Sequence, residues 1–258
     1  MGLITFLSDF GLEDHYVASV KSELLKVNPT QIIVDISHEV PPFDIARAAF
    51  LLSSVYLDFP QGTVHIAAVD TVKRRSRIVA VELHGHYFIG YDSGLFSLLE
   101  NREPDQAFEL AKIGGTFPVK ETMAPIAASL ANGSSINTLG YESTQIMMLY
   151  GRQLKVTKRE IVGNVVAIDR FGNLISNVSK EAFDKMMEIN GEGTKYLLRF
   201  GREAMNQLHT YFTAVESGDC YAFFNSSGVL QIGINQGNAA QLLGLKMDAP
   251  VFIEFTAS

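Results

Sequence analysis

The sequence offers little sulfur chemistry: a single cysteine, Cys220, stands in the apolar stretch DCYAFF. One thiol excludes an intramolecular disulfide framework and a cysteine-based metal cluster, and its apolar neighbours predict a buried, inert side chain. Positive charge is also scarce. With 21 Lys and Arg against 28 Asp and Glu the formal charge is −7, which argues against broad binding to nucleic acid or anionic membranes, since both need clustered cations. No apolar run is long enough to span a bilayer, and no basic segment followed by an apolar core marks a secretory signal, so a cytoplasmic location is expected. Internal repeats, low-complexity tracts and long linkers are absent. A His-x-His pair, His84 and His86, has no evident third ligand nearby, so it reads as exposed turn histidines rather than a metal site.

What is present is the composition of a compact protein, 47% hydrophobic and 19% charged over 258 residues. That length suits one large or two modest domains. Leu3 to Leu7 is an apolar run of strand length, and from Glu13 onward Tyr16, Val17, Val20, Leu24 and Leu25 recur at helical spacing. Ser8 to Leu12 is therefore a strand-to-helix crossing, where open α/β sheets usually bind ligands. QIIVDI (31–36) is a second buried strand, the prolines of SHEVPPF (37–43) break structure before a helix from Asp44, and TVHIAAV (63–69) is a third strand. Ile78 to Leu83 and Tyr87 to Ile89 form a hairpin, GLFSLLEN is a short helix, and Ala124 to Ala131 returns to helix.

Carboxylates mark the strand ends. Asp9, Asp35 with its following loop, and Asp70 occupy similar positions, and although Asp often starts a turn by bonding its own backbone, three in succession point to a site. Asp14, placed in the first helical turn, either grips a ligand opposite Asp9 or caps the helix. Directly after Asp70 comes TVKRRSR (71–77), from which one of Arg74, Arg75 and Arg77 is expected to face Asp70 or a substrate carboxylate.

The polar stretch GRQLKVTKRE (151–160) is the best boundary, dividing a first domain, 1–153, from a second, 154–258. Beyond it strands dominate: Ile161 to Ile168 runs into DRFGN, Leu174 continues as a strand, Glu181 to Ile189 is a helix, and Cys220 to Ile234 is a hairpin around Asn225 to Gly228. Asn235 to Asn238 leads into the helix AAQLLG, and Pro250 to Phe255 is a last strand. The expected architecture is an α/β N-terminal domain with a central, mainly parallel sheet, followed by a smaller β-barrel-like C-terminal domain.

Taken together, SDFGLEDHYV (8–17), IVDISHEVPPFDI (33–45), FPQGTVHIAAVD (59–70), YDSGLFSLL (91–99), IDRFGNLISNV (168–178) and NSSG with GINQGNAAQLLGL (225–245) resemble the S-adenosylmethionine hydroxide adenosyltransferases, relatives of the fluorinases and chlorinases. The motifs run in order over nearly the whole chain. The resemblance implies displacement at C5′ of the ribose of S-adenosylmethionine, giving adenosine and L-methionine. It implies no further cofactor, and a homotrimer with active sites shared between the N-terminal domain of one subunit and the C-terminal domain of its neighbour. Carried over, Asp9 meets both ribose hydroxyls, Asp14 and Asp169 the methionine ammonium, and Ser226 and Ser227 its carboxylate. Phe43 packs on the sugar, while Asn173 and the backbone around Asn238 and Ala239 read adenine.

The nucleophile decides the branch. Hydroxide-using members carry a strand-end Asp, matched by Asp70, and a downstream Arg, matched by Arg75 or Arg77. Their His is replaced by Pro118 in Thr116 to Glu121, and their Pro-Gly-Val-Gly by Thr71 to Arg74. A His is not chemically required, because a neutral thioether leaves from a sulfonium and no general acid is needed; the demands are an in-line water and exclusion of bulk solvent. The competing readings are a protein that binds S-adenosylmethionine or adenosine without turnover and a halogenase, the latter opposed by Asp70 because a carboxylate repels a halide.

Overall fold

The computed structural model describes residues 2–70, 77–111, 115–143 and 145–256. The chain divides into two compact units, Met1–Gly151 and Arg152–Ser258.

In the first unit, strand β1 (Ile4–Ser8) leads into helix α1 (Tyr16–Val27), β2 (Ile33–Ser37), α2 (Ile45–Ser53), β3 (Val64–Ala68) and the hairpin β4 (Ile78–Leu83) and β5 (His86–Tyr91). Then follow β6 (Gln106–Leu110), α3 (Ala124–Ala131) and β7 (Gly140–Glu142). These strands make one seven-stranded sheet in the order β2-β1-β3-β5-β4-β6-β7. Its β1–β2, β1–β3 and β3–β5 pairings are parallel and its β4–β5, β4–β6 and β6–β7 pairings antiparallel. The sheet is thus mixed rather than mainly parallel, because the tight His84-Gly85 turn reverses the chain and later strands add to that edge. β1 is buried along its whole length. Its alternate side chains serve two cores: Ile4 and Phe6 pack with α1 and α3, and Leu7 packs with α2. A strand covered on both faces needs the unbroken apolar run seen in the sequence. The Phe96–Leu98 segment is one 3-10 turn rather than the expected short helix.

The second unit comprises β8 (Lys155–Val156), β9 (Glu160–Ile168), β10 (Leu174–Ser179), α4 (Lys180–Asn190), β11 (Lys195–Phe200), β12 (Glu203–Met205), β13 (Cys220–Phe224), β14 (Val229–Ile234), α5 (Ala239–Leu242) and β15 (Pro250–Thr256). Its eight-stranded sheet runs β12-β11-β15-β9-β10-β14-β13, with β8 added to β9. Buried and half-exposed residues alternate along β9, which fits a sheet with one face on a core. Ser179 starts α4 by accepting the Ala182 amide at 3.1 Å, an N-cap worth about 1 kcal/mol. Cys220 is half-buried, and burial pushes its thiol up, with Glu203 and Asp219 adding to the effect. Among the described residues no helix is long and apolar enough to cross a membrane.

Candidate functional site

The first unit gathers Asp9, Phe43 and Asp70 on one atom. Asp9 follows β1, and its Oδ2 accepts the backbone amide of Phe43 at 3.0 Å and that of Asp70 at 3.2 Å. Both donors have positive φ, 67° at Phe43 and 56° at Asp70, a region that non-glycine residues seldom enter. The carboxylate therefore fixes the backbone of two segments through one oxygen. Asp70 is buried and stands just beyond β3, as expected. The Phe43 ring is more than half exposed, presented rather than packed.

Two other carboxylates sit elsewhere than expected. Asp35 lies within β2, not at its end: its backbone is in register with Phe6, and its side chain bonds Lys21 on α1 at 2.5 Å. Burial pushes the Asp35 carboxyl up, but Lys21 and His38 outweigh it and hold the group low. Asp14 is exposed and precedes α1, whose N-cap is His15 with no side-chain cap bond. It is neither in the first helical turn nor a cap, because the helix begins at Tyr16, two residues later than Asp14.

Of the two arginines, Arg75 lies outside the described residues, and so does Arg74. Arg77 is described, and its guanidinium bonds Asp92 at 2.5 Å, Glu109 at 3.2 Å and the Gln145 carbonyl at 2.7 Å. Asp92 also accepts the Met147 amide at 2.7 Å. Arg77 thus ties β4 to the chain at 145–147, and the Asp92 bond raises its already high pKa. His86 is buried, not exposed in a turn: its Nδ1 faces His65 Nε2 at 3.2 Å. The described residues hold no group of three or more metal-ligating side chains.

The second unit has its own cavity, of about 650 Å³, at the end of β9. Asp169, Phe171, Asn173, Phe212, Tyr221, Gln231 and Gly237 to Asn238 line it. Asp169 folds the DRFGN turn onto itself by accepting the amides of Phe171 and Asn173, both at 2.9 Å, and the Asn173 side-chain amide at 2.8 Å. Tyr221 donates its hydroxyl to Asn173 Oδ1 at 2.9 Å. The Asn173 carboxamide is therefore held from both ends, with one N–H and one lone pair left for a ligand. Asn238 Oδ1 caps α5 through the Gln241 amide at 2.9 Å. Ala239, the first residue of α5, is buried, so it has only backbone to offer. The exposed Phe171 and Phe212 rings supply flat apolar surface. A planar, polar-edged ring suits such a cavity.

Ser226 and Ser227 do not line this cavity. They sit exposed at the tip of the β13–β14 hairpin, whereas Tyr221 pairs with Gly233 near its other end. Three residue steps of β13, roughly 10 Å at strand rise, run from Tyr221 to Phe224, and the serines lie beyond that. A ligand spanning both must be elongated, with unlike ends.

A family model described as the SAM hydroxide adenosyltransferase N-terminal domain matches residues 4–140, and one for the C-terminal domain matches residues 163–252. The chain belongs to this family. It is 34% identical to the (R)-S-adenosyl-L-methionine hydrolase of Thermus thermophilus, over 96% of this chain and 98% of the relative. It is 25% identical to the fluorinase of Nocardia brasiliensis, over 98% and 96%. A crystal structure of a conserved protein from Thermotoga maritima superposes with TM-score 0.87 at 28% identity, covering 97% of this chain and 99% of that one.

Within the family frame, the segment that carries Pro118 reaches the β1–α1 crossing. The Phe117 ring lies 5.7 Å from Phe10 and 5.5 Å from Tyr16, centroid to centroid. Pro118 opens a π-helical turn, Val119–Met123, a position where its missing N–H costs nothing; π-helical turns often accompany functional sites. Glu121 turns back to accept the Phe117 amide at 3.1 Å. Sequence reasoning missed Phe171, Phe212, Tyr221 and Gln231. Phe171 carried a readable signal, an aromatic inside a turn motif; the other three act from strands or a short 3-10 turn and carried none.

Proposed function

We infer that this protein hydrolyses S-adenosyl-L-methionine, water displacing L-methionine at ribose C5′ to give adenosine. The water oxygen forms a bond to C5′ while the C5′–S bond breaks and its electron pair stays on sulfur, so the sulfonium becomes the thioether of methionine. The proton lost by the water passes to Asp70 or to solvent. The leaving group is neutral, so the reaction asks for no metal, cofactor or general acid. The observation that carries this reading is the hydrogen bond from the Asp70 amide to Asp9, which couples the water-orienting carboxylate to the one assigned to the ribose hydroxyls. Phe43 packs on the sugar. Asp169, with Asp14, takes the ammonium, Ser226 and Ser227 take the methionine carboxylate, and Asn173 with the backbone at Asn238 and Ala239 takes adenine. Arg75 is the preferred water-polarising cation, because Arg77 already serves Asp92 and Glu109.

The same reading includes a cytoplasmic homotrimer built from domains 1–153 and 154–258, each site formed between neighbouring subunits. It also includes a barrel-like curl in the second domain, supported by register shifts along β10, since such irregularities bend strands. Turnover in water labelled with heavy oxygen tests the chemistry: the label is expected in the adenosine 5′-hydroxyl and not in methionine. Label in methionine, or a halogenated nucleoside formed in the presence of chloride or fluoride, would overturn it. A second reading, binding without turnover, is favoured by Pro118 alone; wild-type protein that retains intact S-adenosylmethionine would establish it.

A further inference from the structure

The β1–α1 crossing is gripped on both sides of Asp9 by one buried residue, His38. Ser8 Oγ lies 2.7 Å from His38 Nδ1, and the Gly11 amide donates to the His38 carbonyl at 2.8 Å. The imidazole is 4% exposed and packs edge-on against Phe6, with centroids 4.7 Å apart. Its other nitrogen, Nε2, is 3.2 Å from Asp35 Oδ1, close enough for the carboxylate to favour an N–H there but too far off line for a hydrogen bond. Lys21 holds the opposite oxygen of Asp35. Burial pushes the His38 pKa down, partly countered by Asp35, so the ring is neutral near pH 7. A neutral imidazole has one donor and one acceptor. Nε2–H facing Asp35 leaves Nδ1 to accept the Ser8 hydroxyl, and Ser8 Oγ in turn receives the Phe10 amide at 3.4 Å.

Serine, histidine and aspartate in a row invite a nucleophilic reading, but the geometry rejects it. Ser8 is fully buried, and it contacts Nδ1 while the carboxylate faces Nε2, the reverse of a hydrolytic triad. What the row does is hold residues 8 and 11 while residue 9 reaches out.

We propose that His38 is a positioning residue, clamping Ser8 and Gly11 so that the Asp9 carboxylate meets the amides of Phe43 and Asp70. Its bearing on catalysis rests on the nucleoside role assigned to Asp9; its bearing on geometry does not. The test compares His38→Leu, His38→Asn and Ser8→Ala with wild type in adenosine affinity by calorimetry, in kcat and KM, and in amide exchange at Gly11, Phe43 and Asp70. Asn places a polar atom where Nδ1 stands, so His38→Asn should restore most of what His38→Leu loses. His38→Leu and Ser8→Ala should each weaken adenosine about fivefold, the worth of one ordinary hydrogen bond, and speed exchange at the three amides ahead of the rest of the sheet. Unchanged affinity and exchange in Ser8→Ala, or a folded His38→Asn as impaired as His38→Leu, would overturn the proposal. If His38→Leu does not fold, Ser8→Ala decides. Wild type that binds adenosine without hydrolysing S-adenosylmethionine would overturn the enzymatic reading while the affinity comparison still decides on His38. Wild type that binds neither is decided by amide exchange.

Discussion

At the scale of single residues, Asp9 holds two backbone amides and is proposed to hold the ribose hydroxyls, and its substitution separates the two roles. Asp9→Asn keeps an oxygen for the Phe43 and Asp70 amides but loses the charge, whereas Asp9→Ala loses both. Hydrogen bonds to a charged group contribute about 1.5–3 kcal/mol each, so Asp9→Ala should weaken adenosine strongly and also lower the melting temperature, while Asp9→Asn should mainly weaken adenosine. Equal melting temperatures for Asp9→Ala and wild type would remove the structural half of this account. Asp70→Asn should reduce kcat by roughly 10²–10⁴-fold, the usual reach of a general base, with little change in KM; full activity would exclude Asp70 from the chemistry. Asp9 and Asp70 were legible because each follows an apolar strand. Asp35 was misplaced by the same rule: the sequence shows where a β-branched run is, but not that its hydrogen-bonded portion extends to Ser37. The clamp by His38 was not legible, since a buried imidazole and an exposed one look alike in a loop of prolines.

At the scale of elements, the DRFGN turn decides the second unit's cavity. Gly172 has φ of 84°, and a Cβ there would come within 2.2 Å of the Asn238 side chain. Gly172→Ala should cost about 1–2 kcal/mol from the left-handed backbone alone, and the displaced Asn238 should take adenosine affinity with it. Calorimetry showing wild-type affinity would detach this turn from the ligand. The turn was readable in outline because Gly and Asn announce it. The partners were not, because Tyr221 reaches Asn173 across 48 residues of sequence and nothing local encodes that meeting. The same limit explains β7 and β12, three-residue strands at sheet edges that show too few apolar positions to declare themselves. It explains the mixed sheet too: local patterns located the β4–β5 hairpin but not the edge to which later strands would add.

At the scale of the whole molecule, the buried histidines contribute to the response to acid. His65 is enclosed in the first unit's sheet, bonded to Thr5 at 2.7 Å and stacked on Phe88 at 4.8 Å, and burial, helped by His86, lowers its pKa from 6.5 to about 3. The unfolded chain therefore takes up this proton first. Stability should be full above about pH 6.5 and fall as pH drops toward 3, by up to about 1.4 kcal/mol per unit for each such proton; burial lowers His38 and His86 in the same direction. Urea midpoints between pH 8 and pH 5 measure this, and an unchanged midpoint would contradict it. A trimer should appear by light scattering at micromolar concentration, because the proposed ligand groups are divided between the two units; a monomer would count heavily against shared sites.

The left-handed backbones at Phe43 and Asp70 bear on how this protein can change. A bulky or charged side chain in that conformation costs of order 1–3 kcal/mol, and glycine would relieve it at either position. A selection for heat resistance alone should therefore return glycine at 43 and 70, giving sturdier protein that has lost the ring proposed for the sugar or the carboxylate proposed for the water. Robustness and turnover are set against each other at two positions whose amides share one oxygen, and selection for both at once should keep the discomfort.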